Sequence, residues 1–227
     1  MEPTIYKPSI YKGAGIYKLG AEGGGGGPNY GSVVIGGRSY KTVKIGNKEW
    51  LAENLDYKWP GLDIGGNTTF NVPHAYYYNN DEDLYNNVYK CGLLYNGYAV
   101  DYLEQNKSDL LPDGWRVSTE TDYDDLYNNV SPGSSYAAFV IKAEDNLITN
   151  GFPSGFNGKN YVGFNLTPAG NFYSNNSFSG FNTHALIWTC TSSGSSLKRL
   201  TITSSNSISS YSDPKQIASS VRLVCDL

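Results

Sequence analysis

Few residues of this 227-residue chain have the types and spacing that covalent chemistry needs. His74 and His184 are the two histidines, far apart and without a serine or cysteine signature beside either, so each reads as a surface or hydrogen-bonded residue rather than a general base. Cys91, Cys190 and Cys225 are an odd number with no metal-ligand spacing, which fits buried or free thiols in a reducing compartment better than a disulfide framework. Asn79, Asn80, Asp81 and Asp83 offer the hard oxygens that calcium takes, but their order matches no calcium loop, and a solvated loop is the plainer expectation. Glu49, Glu53 and Asp56 are close in sequence; acid hydrolysis of a polysaccharide would need two such groups facing each other across one cleft. The expectation is therefore no catalytic residue, no metal and no cofactor.

Recognition chemistry is better supplied. Tyr173, Asn175, Asn176, Asn206 and Tyr211 fall in long C-terminal loops, and Trp59 precedes Pro60 in another loop, where an exposed ring is expected. Hydroxyls, amides and aromatic faces together suit a glycan or a protein epitope. Trp50, Trp115 and Trp188 sit in apparent strands and belong to the core.

These loops need a scaffold, and its clearest signal is Leu111 to Val130, LPDGWRVSTETDYDDLYNNV. Pro112, Asp113 and Gly114 make a turn, Trp115 to Val117 a short strand, and Ser118 or Thr119 caps a new helix. Tyr123, Leu126, Tyr127 and Val130 form an apolar stripe at i, i+3, i+4 and i+7, with Asp122, Asp124, Asp125 and Asn128 on the opposite face. Such a helix needs a sheet to cover. Strands are expected at Val33 to Ile35, then Tyr40 to Ile45 and Trp50-Leu51 around Gly36-Gly37 and Gly46-Asn47 turns. Further strands are expected at Ala185 to Cys190, Leu197 to Thr203 and Val221 to Val224, and a second short helix near Tyr102.

Twenty Tyr and 26 Gly accompany 17 % charged residues, and the net charge is −4. No basic stripe exists to neutralise phosphates, so no nucleic-acid partner is expected, and no apolar run is long enough to predict a membrane span. Residues 1–30 differ from the rest. Ile5-Tyr6, Ile10-Tyr11 and Ile16-Tyr17 each precede a lysine, and Gly23 to Gly27 run up to Pro28. Five consecutive glycines lose too much entropy to order by themselves, so an extended arm is expected whose Ile-Tyr stations are gripped by a neighbour. The same residues lack a secretory apolar core, and with Met1 in place folding in a cytoplasm is expected.

VKIGNKEWLAENLDY (Val43 to Tyr57), YNND (Tyr78 to Asp81), GLLY (Gly92 to Tyr95), LPDGWRVSTETDYDDL, NYVGFNLTPAG (Asn160 to Gly170), the Trp188 strand and VRLV (Val221 to Val224) together resemble the Fibrobacter succinogenes major paralogous domain family, over about residues 36 to 227. The resemblance implies an α+β, C-type-lectin-like fold: small twisted antiparallel sheets, two helices, and long loops whose distal surface carries ligand contacts. It also implies that Glu49, Glu53 and Asp56 are structural. Where the family pattern has two cysteines, this chain has Leu111 and Leu223, so packed leucines are expected in place of a disulfide.

The organisation expected is an anchoring arm over 1–30 and a lectin-like domain over 31–227. The function expected is non-catalytic recognition of a host-surface glycan or protein. The chain would be a homo-oligomeric bacteriophage head or tail fibre, assembled in host cytoplasm, with its arm held by other virion proteins. A bacterial secreted or cell-surface binding domain is the alternative, and a polysaccharide-active enzyme the third.

Overall fold

The computed structural model describes residues 27–66, 71–84, 91–131, 136–144, 156 and 158–227. The expected anchoring residues Ile5, Tyr6, Ile10, Tyr11, Ile16 and Tyr17 lie outside them.

In chain order the described elements are β1 (Tyr30–Ile35), β2 (Arg38–Ile45), β3 (Lys48–Leu51), β4 (Asp63–Ile64), β5 (His74–Tyr76), a 3-10 turn (Tyr78–Asn80), α1 (Glu82–Leu84), β6 (Leu94–Asn96), α2 (Gly97–Gln105), α3 (Lys107–Leu110), β7 (Trp115–Val117) and α4 (Glu120–Val130). There follow α5 (Tyr136–Ile141), β8 (Ala169–Phe172), β9 (Phe178–Phe181), β10 (His184–Ser193), β11 (Ser196–Thr203), β12 (Ile208–Pro214), β13 (Ala218–Val221) and β14 (Leu223–Asp226). This is an α+β protein. Strand β1 starts at Tyr30, so the domain begins inside the stretch expected to be arm.

One sheet has the order β1-β2-β3-β14-β7 and is antiparallel throughout. Its first hairpin turns on Gly36 and Gly37, both at positive φ (58° and 83°), a conformation that costs glycine little. The second sheet runs β12-β11-β10-β13-β6-β5-β4, with β8 pairing β13 and β9. It corrects the expectation of purely antiparallel sheets, because β10 pairs β13 and β4 pairs β5 in parallel. The expected terminal strand is two strands. The chain leaves the second sheet at Val221, passes through Arg222, and enters the first at Leu223, between β3 and β7.

Helix α4 forms where its pattern places it. Thr119 accepts from the Asp122 amide, and the Asp122 carboxylate accepts from the Thr119 amide at 2.7 Å, a reciprocal cap. Tyr123, Leu126 and Val130 are buried as expected. Asp122 is not on the solvent face: it is 3 % exposed. Arg116 grips it bidentately at 2.6 and 2.9 Å, Lys48 Nζ stands 3.2 Å away, and Asp226 of β14 binds both cations. Four charges thus tie α4 to β3, β7 and the last strand, and a spacing rule that sees only one helix cannot foresee it.

Two large apolar clusters fill the molecule. One joins Trp115, Val117, Trp188, Val221 and helix α2; the other joins Trp50, Tyr123, Phe164, Ile187 and Val224 under α4 and α5. The three strand tryptophans are core. Leu111 and Leu223, 7 % and 0 % exposed, share the first cluster. Cys91, Cys190 and Cys225 are free thiols.

Candidate functional site

The last β-strands build the surface on which the expected ligand residues can be judged. Trp188, Arg199 and Tyr211 stand opposite one another on β10, β11 and β12, and opposed residues of antiparallel strands point to one face. On that face Trp188 is fully buried and donates its indole N–H to the Tyr95 carbonyl at 2.9 Å. The Arg199 guanidinium lies 5.8 Å from the Trp188 ring, and Tyr211 is 53 % exposed. Here the sheet passes from core to surface within one row.

Arg199 is 6 % exposed. Its Nη1 donates to Ser219 Oγ at 3.3 Å, and its Nε stands 2.7 Å from Asp213 Oδ2. The approach of Nε to the carboxylate is off the N–H direction, so this is an ion pair without an aligned hydrogen bond. Burial pulls the guanidinium pKa down, and Asp213 and Tyr173 partly restore it. Asn171 stands opposite Ser219 on β8, 1 % exposed, and its Nδ2 has no partner among the described residues.

The β8–β9 hairpin is the wall of this surface. Gly180 of β9 faces Leu186 and His184 of β10, so the hairpin leans on the same face as Trp188 and Arg199. Its tip is Tyr173 to Ser177, closed by the Tyr173 amide on the Ser177 carbonyl (2.8 Å) and the Asn176 amide on the Tyr173 carbonyl (3.0 Å). Tyr173 is 36 % exposed there.

The expected contact residues therefore divide. Tyr173 and Tyr211 flank one surface. Asn175 and Asn176 sit at the hairpin tip beside it, engaged by the turn: Asn175 Oδ1 accepts from the Ser177 amide and hydroxyl, and Asn176 takes φ 63°. Asn206 occupies the equivalent place in the β11–β12 turn, at φ 64°, its amide on the Thr203 carbonyl and its Oδ1 buried. Arg199 and Thr203 are four steps apart along β11, about 13 Å at 3.3 Å per residue, so the turn that holds Asn206 is at least that far from Arg199. Trp59 requires correction: it is 3 % exposed, stacked between Tyr95 (5.8 Å) and Tyr102 (6.0 Å) with Tyr57 edge-on (5.9 Å). Sequence reasoning missed Arg199, Asp213 and Asn171. Arg199 stands beside Lys198 in the sequence of β11, and nothing local separates the buried cation from the exposed one.

The other candidates have structural partners. Arg38 holds Glu53 at 2.5 Å and Asp56 at 2.7 Å, and Glu49 accepts from Thr42, so each of these carboxylates has a structural partner. His74 is buried with Nε2 on the Gly65 carbonyl at 2.6 Å; His184 Nδ1 meets Thr183 Oγ1. Among the described residues no group of three or more His, Cys, Asp or Glu could hold a metal ion. Two open clefts, of about 260 Å³ beside Trp115 and about 360 Å³ beside Lys58 and Glu82, lie away from Arg199.

Arg222, at the crossover between sheets, is fully buried and makes four hydrogen bonds without a carboxylate: to Asn54 Oδ1 (2.8 Å) and to the carbonyls of Leu51 (2.7 Å), Phe164 (2.8 Å) and Asn165 (2.8 Å). It gathers the WLAENL, GFN and VRLV segments at one point. The model of the Fibrobacter succinogenes major domain matches residues 43–225, which contain all three.

The chain belongs to the Fibrobacter succinogenes major domain family. Comparison with curated proteins and with solved structures found no match. In this family member Arg222 ties the three matched segments together.

Proposed function

We propose that this chain is a non-catalytic recognition domain of C-type-lectin-like fold, displayed on a larger assembly as a bacteriophage head or tail fibre that binds a host-surface glycan or protein. The observation that carries recognition is the half-open face on β10–β12: a buried Arg199–Asp213 pair with the exposed Tyr211 opposite Arg199, and an orphan Asn171 amide on the strand that pairs with Ser219. Buried polar groups with incomplete partners at a rim of aromatic residues are the usual makings of a binding site. The lectin-like fold is supported by the β1–β3 strands meeting the C-terminal β14 in one sheet, by two longer helices, α2 and α4, and by the loops of the second half.

Display on a virion is supported by the arm sequence, with its three Ile-Tyr-Lys stations and its glycine run before β1. A homo-oligomeric fibre would present several such faces at once and gain avidity. The bacterial name of the family favours a second reading, a secreted or cell-surface binding domain. Mass spectrometry of purified phage particles separates the two: the chain is expected in the particle, and deletion of residues 1–30 is expected to remove it. Retention of the truncated chain on particles contradicts the anchoring role. A glycan and protein array tests recognition itself, with saturable binding expected for the full chain and weakened binding for Tyr211→Ala.

A further inference from the structure

We infer that the Arg199 face takes a neutral, polyhydroxylated sugar, bound by the Arg199–Asp213 pair as matched donor and acceptor and stacked on Tyr211; this rests on the recognition role proposed above. The charge balance of the face decides the ligand class. Arg199 brings one positive charge and Asp213 one negative charge, 2.7 Å apart, and neutral polar side chains share the face, Ser219 on Arg199 Nη1 and Thr201 opposite Ser209 among them. Lys198 and Ser212 alternate to the other side of the sheet. An acidic ligand would find its cation already neutralised and a carboxylate beside it, and a cationic ligand would meet the buried guanidinium.

A vicinal diol meets neither penalty, since each hydroxyl both donates and accepts. One can receive a proton from a guanidinium or amide N–H while its neighbour gives one to Asp213. The unpartnered Asn171 Nδ2 is a further buried donor, on the strand that pairs with Ser219. Tyr211, 53 % exposed and directly opposite Arg199, offers a flat face to the apolar side of a sugar ring. A protein epitope fits less well, because aspartate and serine are depleted at protein interfaces, whereas here Asp213 holds the arginine and Ser209, opposite Thr201, lies next along the face.

The test is affinity electrophoresis of the full chain in native gels cast with mannan, dextran or galactan, and in gels cast with alginate or polygalacturonate. Retardation is expected in at least one neutral polymer and in neither uronate. Tyr211→Ala is expected to weaken it by roughly tenfold or more, as loss of a contact worth about 1.4 kcal/mol would. Asp213→Asn unbalances Arg199 and is expected to weaken neutral binding while creating retardation by the uronates; circular dichroism of each variant reports folding. Where Asp213→Asn fails to fold, Tyr173→Phe carries the test, with weaker neutral binding expected and no gain for uronates. Retardation of the unmodified chain by uronates alone overturns the neutral class and leaves recognition standing. No retardation in any gel overturns a sugar ligand, and the protein half of the array then decides recognition separately.

Discussion

Arg222 and Arg199 are both buried arginines of the second half of the chain, and they are held in opposite ways. Arg222 meets only neutral oxygens, three backbone carbonyls and one amide, each at 2.7 to 2.8 Å, and its pKa is brought down to about 10 by burial. Arg199 has a carboxylate, yet its Nε is misaligned on it and a neighbouring amide is orphaned. The satisfied arginine marks a place where three segments must meet. The incompletely satisfied one is where the proposed ligand would be held.

The sharpest way to break this contrast is to remove each arginine. Arg222→Met leaves four acceptors without a donor at the crossover and is expected to cost about 3–5 kcal/mol or to prevent folding. Arg199→Met is expected to cost only about 1 kcal/mol, because the Asp213 carboxylate it abandons reaches solvent. Urea denaturation of both variants checks this; equal losses would make Arg199 scaffold as well. Trp59→Ala should behave like the interior, losing about 3 kcal/mol in the same assay with ligand affinity unchanged.

The ion cluster at α4 adds a pH dependence to the scaffold side. Burial pushes the Asp122 carboxyl up, but the Arg116 guanidinium and the Thr119 amide and hydroxyl outweigh it and hold it well below its ordinary 3.8. The stability it contributes is thus present above pH 3.8 and lost as pH falls below it. Asp122→Asn is expected to cost roughly 2 kcal/mol at neutral pH and to flatten the acid limb of stability against pH. Lys142 runs the other way. It is fully buried, with its Nζ on the Ser204 carbonyl at 3.2 Å, and burial brings its pKa down from 10.5 to about 8. The folded state then binds fewer protons than the unfolded one between pH 8 and 10.5, so stability rises with pH across that window. Lys142→Met is expected to abolish that rise and to stabilise the protein at pH 7 by about 1 kcal/mol, read by thermal unfolding.

The scaffold was largely legible in the sequence and the ligand face only in part. The α4 cap, the Gly36-Gly37 hairpin and the buried strand tryptophans follow from local rules: a capping residue, a turn residue, an apolar period. Arg222 and Asp122 break those rules because partners of each lie far away along the chain, Leu51 for Arg222 and Lys48 for Asp122. Trp59 was misjudged for the same reason, since Tyr95 and Tyr102 cover it from helix α2 and its approach. Asn176 and Asn206 looked like ligand amides and are turn residues at positive φ, which asparagine tolerates. Tyr173 and Tyr211 are exposed, but Tyr211 lies in strand β12 and not in the expected loop, and Arg199 opposite it shows only when three strands are aligned.

The smallest expected change in stability belongs to the most informative variant. Tyr211→Ala touches little of the core, so its urea midpoint should move by no more than about 0.5 kcal/mol. On the ligand that the unmodified chain binds in the array, a binding isotherm measured on the same samples is predicted to weaken roughly tenfold or more. An isotherm unchanged by Tyr211→Ala, with the fold intact, would contradict the assignment of the Arg199 face as the recognition surface.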